Sequence, residues 1–231
     1  MSEQEPIIRH IFSSQERYIL INLAEQILEL LGTPPQARDP LHDVVGISGN
    51  ELPPDDPVLK RLLPSGYKEI QDAAEFRRYT EDALREKKRA HAYLIRETLI
   101  DDEGLGEEIV QGDKDVESTA IAISIKSEDV WSWLAGLNDI RLALAVRLEI
   151  GGATMGDLPN DAHRGDARYD AQSSGDPQQT AHQRFELMTD SDPMKAVYAV
   201  YNWLGWLQEE FLKQMDADLD GDSTPPDQEN P

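Results

Sequence analysis

Apolar and polar positions alternate with three distinct rhythms along this chain, and each rhythm predicts an element. Residues 6–12, PIIRHIF, form a short apolar run that predicts a strand. Ser13 and Glu16 follow with the spacing of a capping box, in which the hydroxyl and the carboxylate satisfy free backbone N–H groups at a helix start. Leu20, Leu23, Ile27 and Leu30 then recur at helical spacing until Gly32-Thr33-Pro34-Pro35 stops them. Residues 40–47 predict one short helix. Pro53, Pro54 and Pro57 introduce another, with Val58, Leu59, Leu62 and Leu63 as its buried side.

Residues 69–99 are rich in Ala, Glu, Arg and Lys and predict a long helix or two joined ones. A thin stripe of Phe76, Tyr79 (or Ala83), Leu84, Tyr93 and Leu94 is its expected apolar side. Isoleucine alternates with small residues over 119–125, the period of a half-buried strand, expected to pair with residues 6–12. Ser127, Glu128 and Asp129 favour a helix start, since acids suit the positive end of the helix dipole. Val130, Trp133, Leu134, Leu137, Ile140, Leu144 and Leu148 run down one face of that helix, and Gly151-Gly152 end it. Residues 194–215 return to helical spacing through Val197, Tyr201, Leu204, Leu207 and Phe211. No internal repeat is visible. The pattern predicts a mainly α protein: a single helical domain over 6–215 with a small two-stranded antiparallel ribbon. An acidic loop at 101–117 and a disordered insertion at 151–192 interrupt it, and a disordered acidic tail at 216–231 follows.

Composition sharpens this picture. Hydrophobic residues are 39% of the 231 and charged residues 29%, against globular values nearer ~45–50% and ~25%. Part of the chain is therefore expected not to pack. The formal charge is −23, from 45 acids and 22 bases. Most of it falls in the two interruptions and the tail, so the packed body is ordinary. Such an acidic chain is repelled by phosphate backbones, and contact with DNA is expected only through a partner. MSEQEPIIRH lacks the basic start and apolar stretch of a signal peptide, and no apolar run is long enough to cross a bilayer. The expected location is cytoplasmic, with no membrane association.

The chain has no cysteine. That removes disulfides, thiolate metal sites and thiol redox switching. His10, His42, His91, His163 and His182 are scattered, with no pair at metal-ligating helical spacing. Gly46-Ile47-Ser48-Gly49 has one glycine of a nucleophile elbow but not the second. No phosphate loop or dinucleotide fingerprint is present. The expectation is no catalytic residue, no cofactor and no enzyme activity.

Three features carry binding chemistry instead. Asp216, Asp218, Asp220, Asp222 and Asp227 with Gly221 follow the spacing of a calcium loop, the alternative reading of function. Against it, Ser223 replaces an aliphatic residue, and Pro225 and Pro226 block an exiting helix. A solvated acidic tail is the better reading. Arg77, Arg78, Arg85, Lys87, Lys88, Arg89 and Arg96 make one basic-rich helix, but acids such as Glu81 and Glu86 nearly balance it. A salt-bridged solvent face is expected there. Tyr201, Trp203 and Trp206 crowd seven residues around Gly205, and Trp133, Asn138 and Arg141 lie on the most apolar helix. A filled core explains many such aromatics. A surplus of them, with polar neighbours, is also what a protein-binding surface uses.

Four stretches carry a resemblance. PPDDPVLKRLLP at 53–64, AEFRRYTE at 74–81, LNDIRLAL at 137–144 and YNWLGWLQ at 201–208 together resemble an actinobacterial family long catalogued as a domain of unknown function. One branch of it is described as the oxidative-stress transcriptional regulator AosR. The resemblance covers most of residues 8–213 outside the insertion. It implies a regulator of transcription that binds an alternative sigma factor of RNA polymerase, and it carries over no catalytic residue. The family's switch is described as a cysteine pair spaced CxxxC, which this chain cannot form. The oligomeric state, a homodimer included, stays open at this stage.

Overall fold

A computed structural model of the chain describes residues 6–32, 52–100, 120–150, 185–189 and 191–221. The elements in order are β1 (Pro6–Ser13), α1 (Ser14–Leu31), α2 (Pro57–Leu62), α3 (Ile70–Ile100), β2 (Ala120–Lys126), α4 (Val130–Arg147) and α5 (Pro193–Gly221). The fold is mainly α with one two-stranded antiparallel sheet, as the hydrophobic rhythm predicts. The expected helix at 40–47 and the loop at 101–117 lie outside the described residues, as do 151–184 of the insertion.

The described chain forms two compact units. The first gathers residues 1–32, 87–138 and 204–231, the second 33–86 and 139–203.

In the first unit β1 pairs with β2, with Ile8 opposite Ile125, His10 opposite Ile123 and Phe12 opposite Ile121. A shift in register falls between Pro6 and Ile8. Ile8, Phe12, Ile123 and Ile125 are buried on one face, while Arg9, Ile11, Ser124 and Lys126 face outward. The capping box forms as expected: the Glu16 N–H donates to Ser13 Oγ at 3.2 Å, and the Ser13 N–H donates to Glu16 Oε2 at 2.8 Å. Leu20, Ala24, Ile27 and Leu31 of α1 are buried.

Two arginines fasten α1 to the C-terminal half of α3. Arg17 Nε donates to the Leu99 carbonyl at 2.5 Å, and Arg89 Nη1 donates to the Gly32 carbonyl at 3.2 Å. These bonds link the start of α1 to the end of α3 and the end of α1 to a point farther back along α3, so the two run antiparallel. Each guanidinium lies at a negative helix end. Arg96 pairs with Glu25 at 3.2 Å between them. Gly136 of α4 admits α3 closely: a Cβ there would lie 2.6 Å from Ile95 Cδ1 and 3.3 Å from the His91 carbonyl.

In the second unit Asp56 caps α2 by accepting from the N–H groups of Val58 and Leu59 at 2.7 and 2.9 Å. Val58, Leu62 and Leu63 are buried beneath it. The expected apolar stripe of α3 is displaced here. Phe76 and Tyr79 are exposed, and Arg77 and Glu81 take the buried positions. Glu81 accepts from Arg77 Nη1 at 2.5 Å and Arg85 Nε at 2.9 Å, while Arg77 Nη2 also donates to the Leu63 carbonyl and Ser65 Oγ, both at 3.3 Å. The expected i,i+4 pair of Glu81 and Arg85 therefore forms, but inside the unit rather than on a solvent face. A buried arginine is tolerated because its donors are met.

All seven residues of the predicted α4 stripe are buried. The helix begins at Val130, three residues after Ser127, because residues 127–129 form a turn. It closes at Glu149, whose φ is 55°. The N–H groups of Glu149 and Ile150 donate to the Val146 and Ala145 carbonyls at 3.2 and 2.9 Å, the paired bonds of a Schellman cap. Ile150, Phe185, Met194, Val197 and Tyr201 pack against Leu148 and Tyr198. Phe185 thus belongs to this cluster, and residues 185–187 form a helical turn where the sequence predicted the end of a disordered insertion.

Candidate functional site

The rings at the surface of the first unit are held by a ladder that starts in its core. Trp133 is 1% exposed and meets Phe211 edge-on at 6.1 Å. Phe211 meets the His10 imidazole at 5.8 Å, and His10 meets Phe12 at 4.5 Å. Trp206 completes the series against His10, at 6.0 Å and 60°. It is 50% exposed, so one side of the indole is fixed by the imidazole while the rest faces solvent. Edge-to-face contacts of this kind contribute about 0.5–1.5 kcal/mol each beyond area burial.

Two strand periods explain how the ladder arises. His10 shares its face with Ile8 and Phe12, so β1 points an imidazole into an apolar layer. Burial pushes the His10 pKa below its ordinary 6.5, with the carboxylates of Glu16 and Glu210 opposing that shift. Gln214 fixes α5 to the outer edge of β1 by accepting from the Arg9 N–H at 3.0 Å. Gln208 Nε2 donates to the Leu134 carbonyl at 3.3 Å, tying α5 to α4.

The six expected partner-binding residues are divided between the two units. Trp133, Asn138 and Trp206 belong to the first unit, and Arg141, Tyr201 and Trp203 to the second. Trp133 is core rather than docking surface, a correction with a simple cause: its position faces inward with Val130 and Leu137. The indole that α4 exposes is Trp131, at 67%. Asn138 is exposed and Trp203 half-buried.

In the second unit the Arg141 guanidinium lies 5.0 Å over the Tyr201 ring. Tyr201 follows Tyr198 at 6.3 Å, and Tyr198 stacks on Phe185 at 4.7 Å. Lys195 lies 5.6 Å over Phe185. Tyr201 and Arg141 are thus brought together, as a cation–π pair inside the second unit.

Asp216, Asp218 and Asp220 lie on α5, which continues to Gly221 instead of ending near 215. Helical backbone occupies the positions where a calcium loop would turn. Asp222 and Asp227 lie outside the described residues. Among the described residues no three His, Asp or Glu side chains group as metal ligands, and no helix is long and apolar enough to cross a membrane.

His10, Trp131 and Phe185 also belong to these clusters and surfaces, though the helical apolar spacing does not single them out. For His10 the signal was present, because the period of two that identifies β1 also assigns its inward side.

The chain is similar over most of its length to proteins of mycobacteria. The "Oxidative stress regulator AosR" of Mycobacterium tuberculosis (strain ATCC 25618 / H37Rv) is 27% identical over 221 residues, covering 88% of this chain and 80% of that one. The protein of the same name from Mycobacterium bovis matches equally. A Mycobacterium leprae protein carrying a provisional form of that name is 28% identical over 162 residues, 63% of this chain and 67% of its own. No solved structure matches significantly. The family model described as "Domain of unknown function (DUF2017)" matches residues 2–215, and the chain belongs to that family.

Proposed function

We propose that this chain is a non-enzymatic regulatory protein of the oxidative-stress response that acts by binding a component of the transcription machinery, an alternative sigma factor being the expected partner. The observation that carries the reading is the similarity, across 88% of the chain, to proteins named oxidative stress regulator. The half-exposed Trp206, held from behind by His10, suits a protein anchor, because a rigid aromatic loses little side-chain entropy when a partner covers it. The −23 formal charge favours a basic partner surface and a fast encounter with it. Contact with DNA would then run through the partner, and the protein would reside in the cytoplasm. Without cysteine, the signal reaches this regulator by a route other than thiol oxidation.

Affinity capture of the tagged full chain from oxidatively stressed cells, at native expression, tests the reading. A sigma factor or another polymerase-associated protein is expected among the captured proteins. Trp206→Ala should lower its recovery at least ~10-fold, the loss of a modest interface anchor, while circular dichroism of the variant stays that of the parent. Capture that contains no transcription component, or that is insensitive to Trp206, removes the proposal.

A further inference from the structure

We propose that the outer edge of β2 is a homodimer interface, at which two copies of this chain join their two-stranded sheets into one four-stranded sheet. The argument starts from the hydrogen-bond parity of the ladder. The Arg9 N–H donates away from β2, to Gln214, and the Ser13 N–H donates to Glu16. Arg9 opposite Ser124 and Ser13 opposite Ala120 are therefore the pairs that exchange no ladder bonds. By alternation, His10 and Phe12 bond to Ile123 and Ile121. The N–H and C=O groups of Ala122 and Ser124 point away from β1, to the far edge.

The two edges of the sheet are treated differently. Side chains of Gln214 and Glu16 cap the β1 edge. Among the described residues, none hydrogen-bonds to the β2 edge at Ala122 or Ser124. Proteins normally blunt such an edge with charge, proline or a bulge. β2 reads AIAISIK, with no proline and with Lys126 as its one charge, and its register is regular over 120–125.

The occupant follows from symmetry and charge. An antiparallel pair centred on Ile123 sets Ala122 opposite Ser124 of the second copy and Ile121 opposite its Ile125. Both Ala122–Ser124 pairs then exchange their outward N–H and C=O groups, and all isoleucines stay on one face. This is a two-fold, self-complementary contact. Neither strand carries an acid. In a chain of −23, the sheet is thus a place where copies meet without acid against acid. The same register sets Lys126, the one charge of β2, opposite Ala120 of the second copy.

Sedimentation of the full chain from micromolar to several hundred micromolar tests the inference. The wild type is expected to reach twice the 26.0 kDa chain mass. Ser124→Pro removes an outward N–H and leaves the β1 ladder bonded, a position where an edge strand tolerates proline. It is expected to remain at the single-chain mass across the range, with unchanged helical circular dichroism. Lys126→Glu brings an acid to this acid-free contact between chains of −23 and should weaken dimerisation at least ~10-fold at low salt. Amide exchange of the wild type gives an independent readout: Ala122 and Ser124 should gain protection as concentration rises, while Arg9 stays constant. A wild type that sediments as a single chain throughout overturns the proposal. So does a dimer that Ser124→Pro leaves intact, or one that forms without protecting Ala122 and Ser124.

Discussion

Three residues do work that their types would not advertise. Glu149 holds φ 55° at the C′ position of the α4 cap, a conformation that costs an L-residue about 1 kcal/mol and glycine none. Glu149→Gly should therefore stabilise the protein, raising its melting temperature by roughly 2–4 °C for about 1 kcal/mol in a chain of this size. Calorimetry checks it, and an unchanged or lower melting temperature would count against the strain argument. Gly136 predicts the opposite of the helix-propensity rule. Alanine normally gains about 1 kcal/mol over glycine inside a helix. Here its Cβ would meet Ile95 Cδ1 at 2.6 Å and the His91 carbonyl at 3.3 Å, and the backbone oxygen cannot rotate aside. Gly136→Ala should lower stability in denaturant unfolding, and Ile95→Val should recover part of the loss. His10 supplies a pH dependence. Its pKa is lowered in the fold, chiefly by burial. The unfolded chain therefore takes up the proton first as pH falls below about 6.5, and the stability belonging to the neutral imidazole is lost through that window, not gained. His10→Gln should flatten that part of the stability profile. It should also remove any acid quenching of Trp206 fluorescence, since the two rings lie 6.0 Å apart.

At the scale of elements, what could be read in advance depended on whether the apolar side was made of apolar residues. The alternation of Ile121, Ile123 and Ile125 against Ile8 and Phe12 paired the strands correctly. The stripe from Val130 to Leu148 identified the inner side of α4 because every member is apolar and buried. In α3 the same logic fails. Arg77 and Glu81 sit in the unit's interior and satisfy each other, so periodicity alone assigned the inner side to Phe76 and Tyr79. The error is physical: a hydrogen-bonded ion pair substitutes for apolar contact, which hydrophobic patterning cannot register. Trp133 shows the converse, a large aromatic that reads equally as interface or core until its neighbours are known. The end of α5 was misjudged because acids and a glycine suggested a tail, while the helix carries on to Gly221. The α3 ion pair makes a measurable claim. Glu81→Leu leaves the Arg77 guanidinium buried without its carboxylate and should cost about 3–5 kcal/mol in urea unfolding. Replacing both partners, Arg77→Met with Glu81→Leu, should be much less harmful than the single change. If the two penalties simply added, the pair would not be acting as a unit.

For the whole molecule, the decisive quantity is how its charge is distributed against its packing. The elements described contain ordinary cores. By sequence, the stretches 101–117 and 216–231 hold fourteen acids and a single base. Self-repulsion within such a chain opposes the compact state and is screened by salt, whose Debye length falls to roughly 8 Å at physiological ionic strength. Attraction to a basic partner is screened by the same ions. The two effects run in opposite directions and can be separated. Raising salt from about 20 to about 200 mM should raise the melting temperature of the isolated protein. On the proposed reading, the same change should slow association with the partner captured under stress, leaving dissociation largely unaltered, because long-range charge acts on encounter while the proposed Trp206 anchor acts on residence. A β2-mediated dimer would respond differently again, strengthening or holding constant, since its strands bring no acid to the contact and the −23 of each copy is what keeps the two apart. Sedimentation in which the dimer dissociates steeply as salt rises would mean that ion pairs, and not the paired backbone of Ala122 and Ser124, hold the copies together.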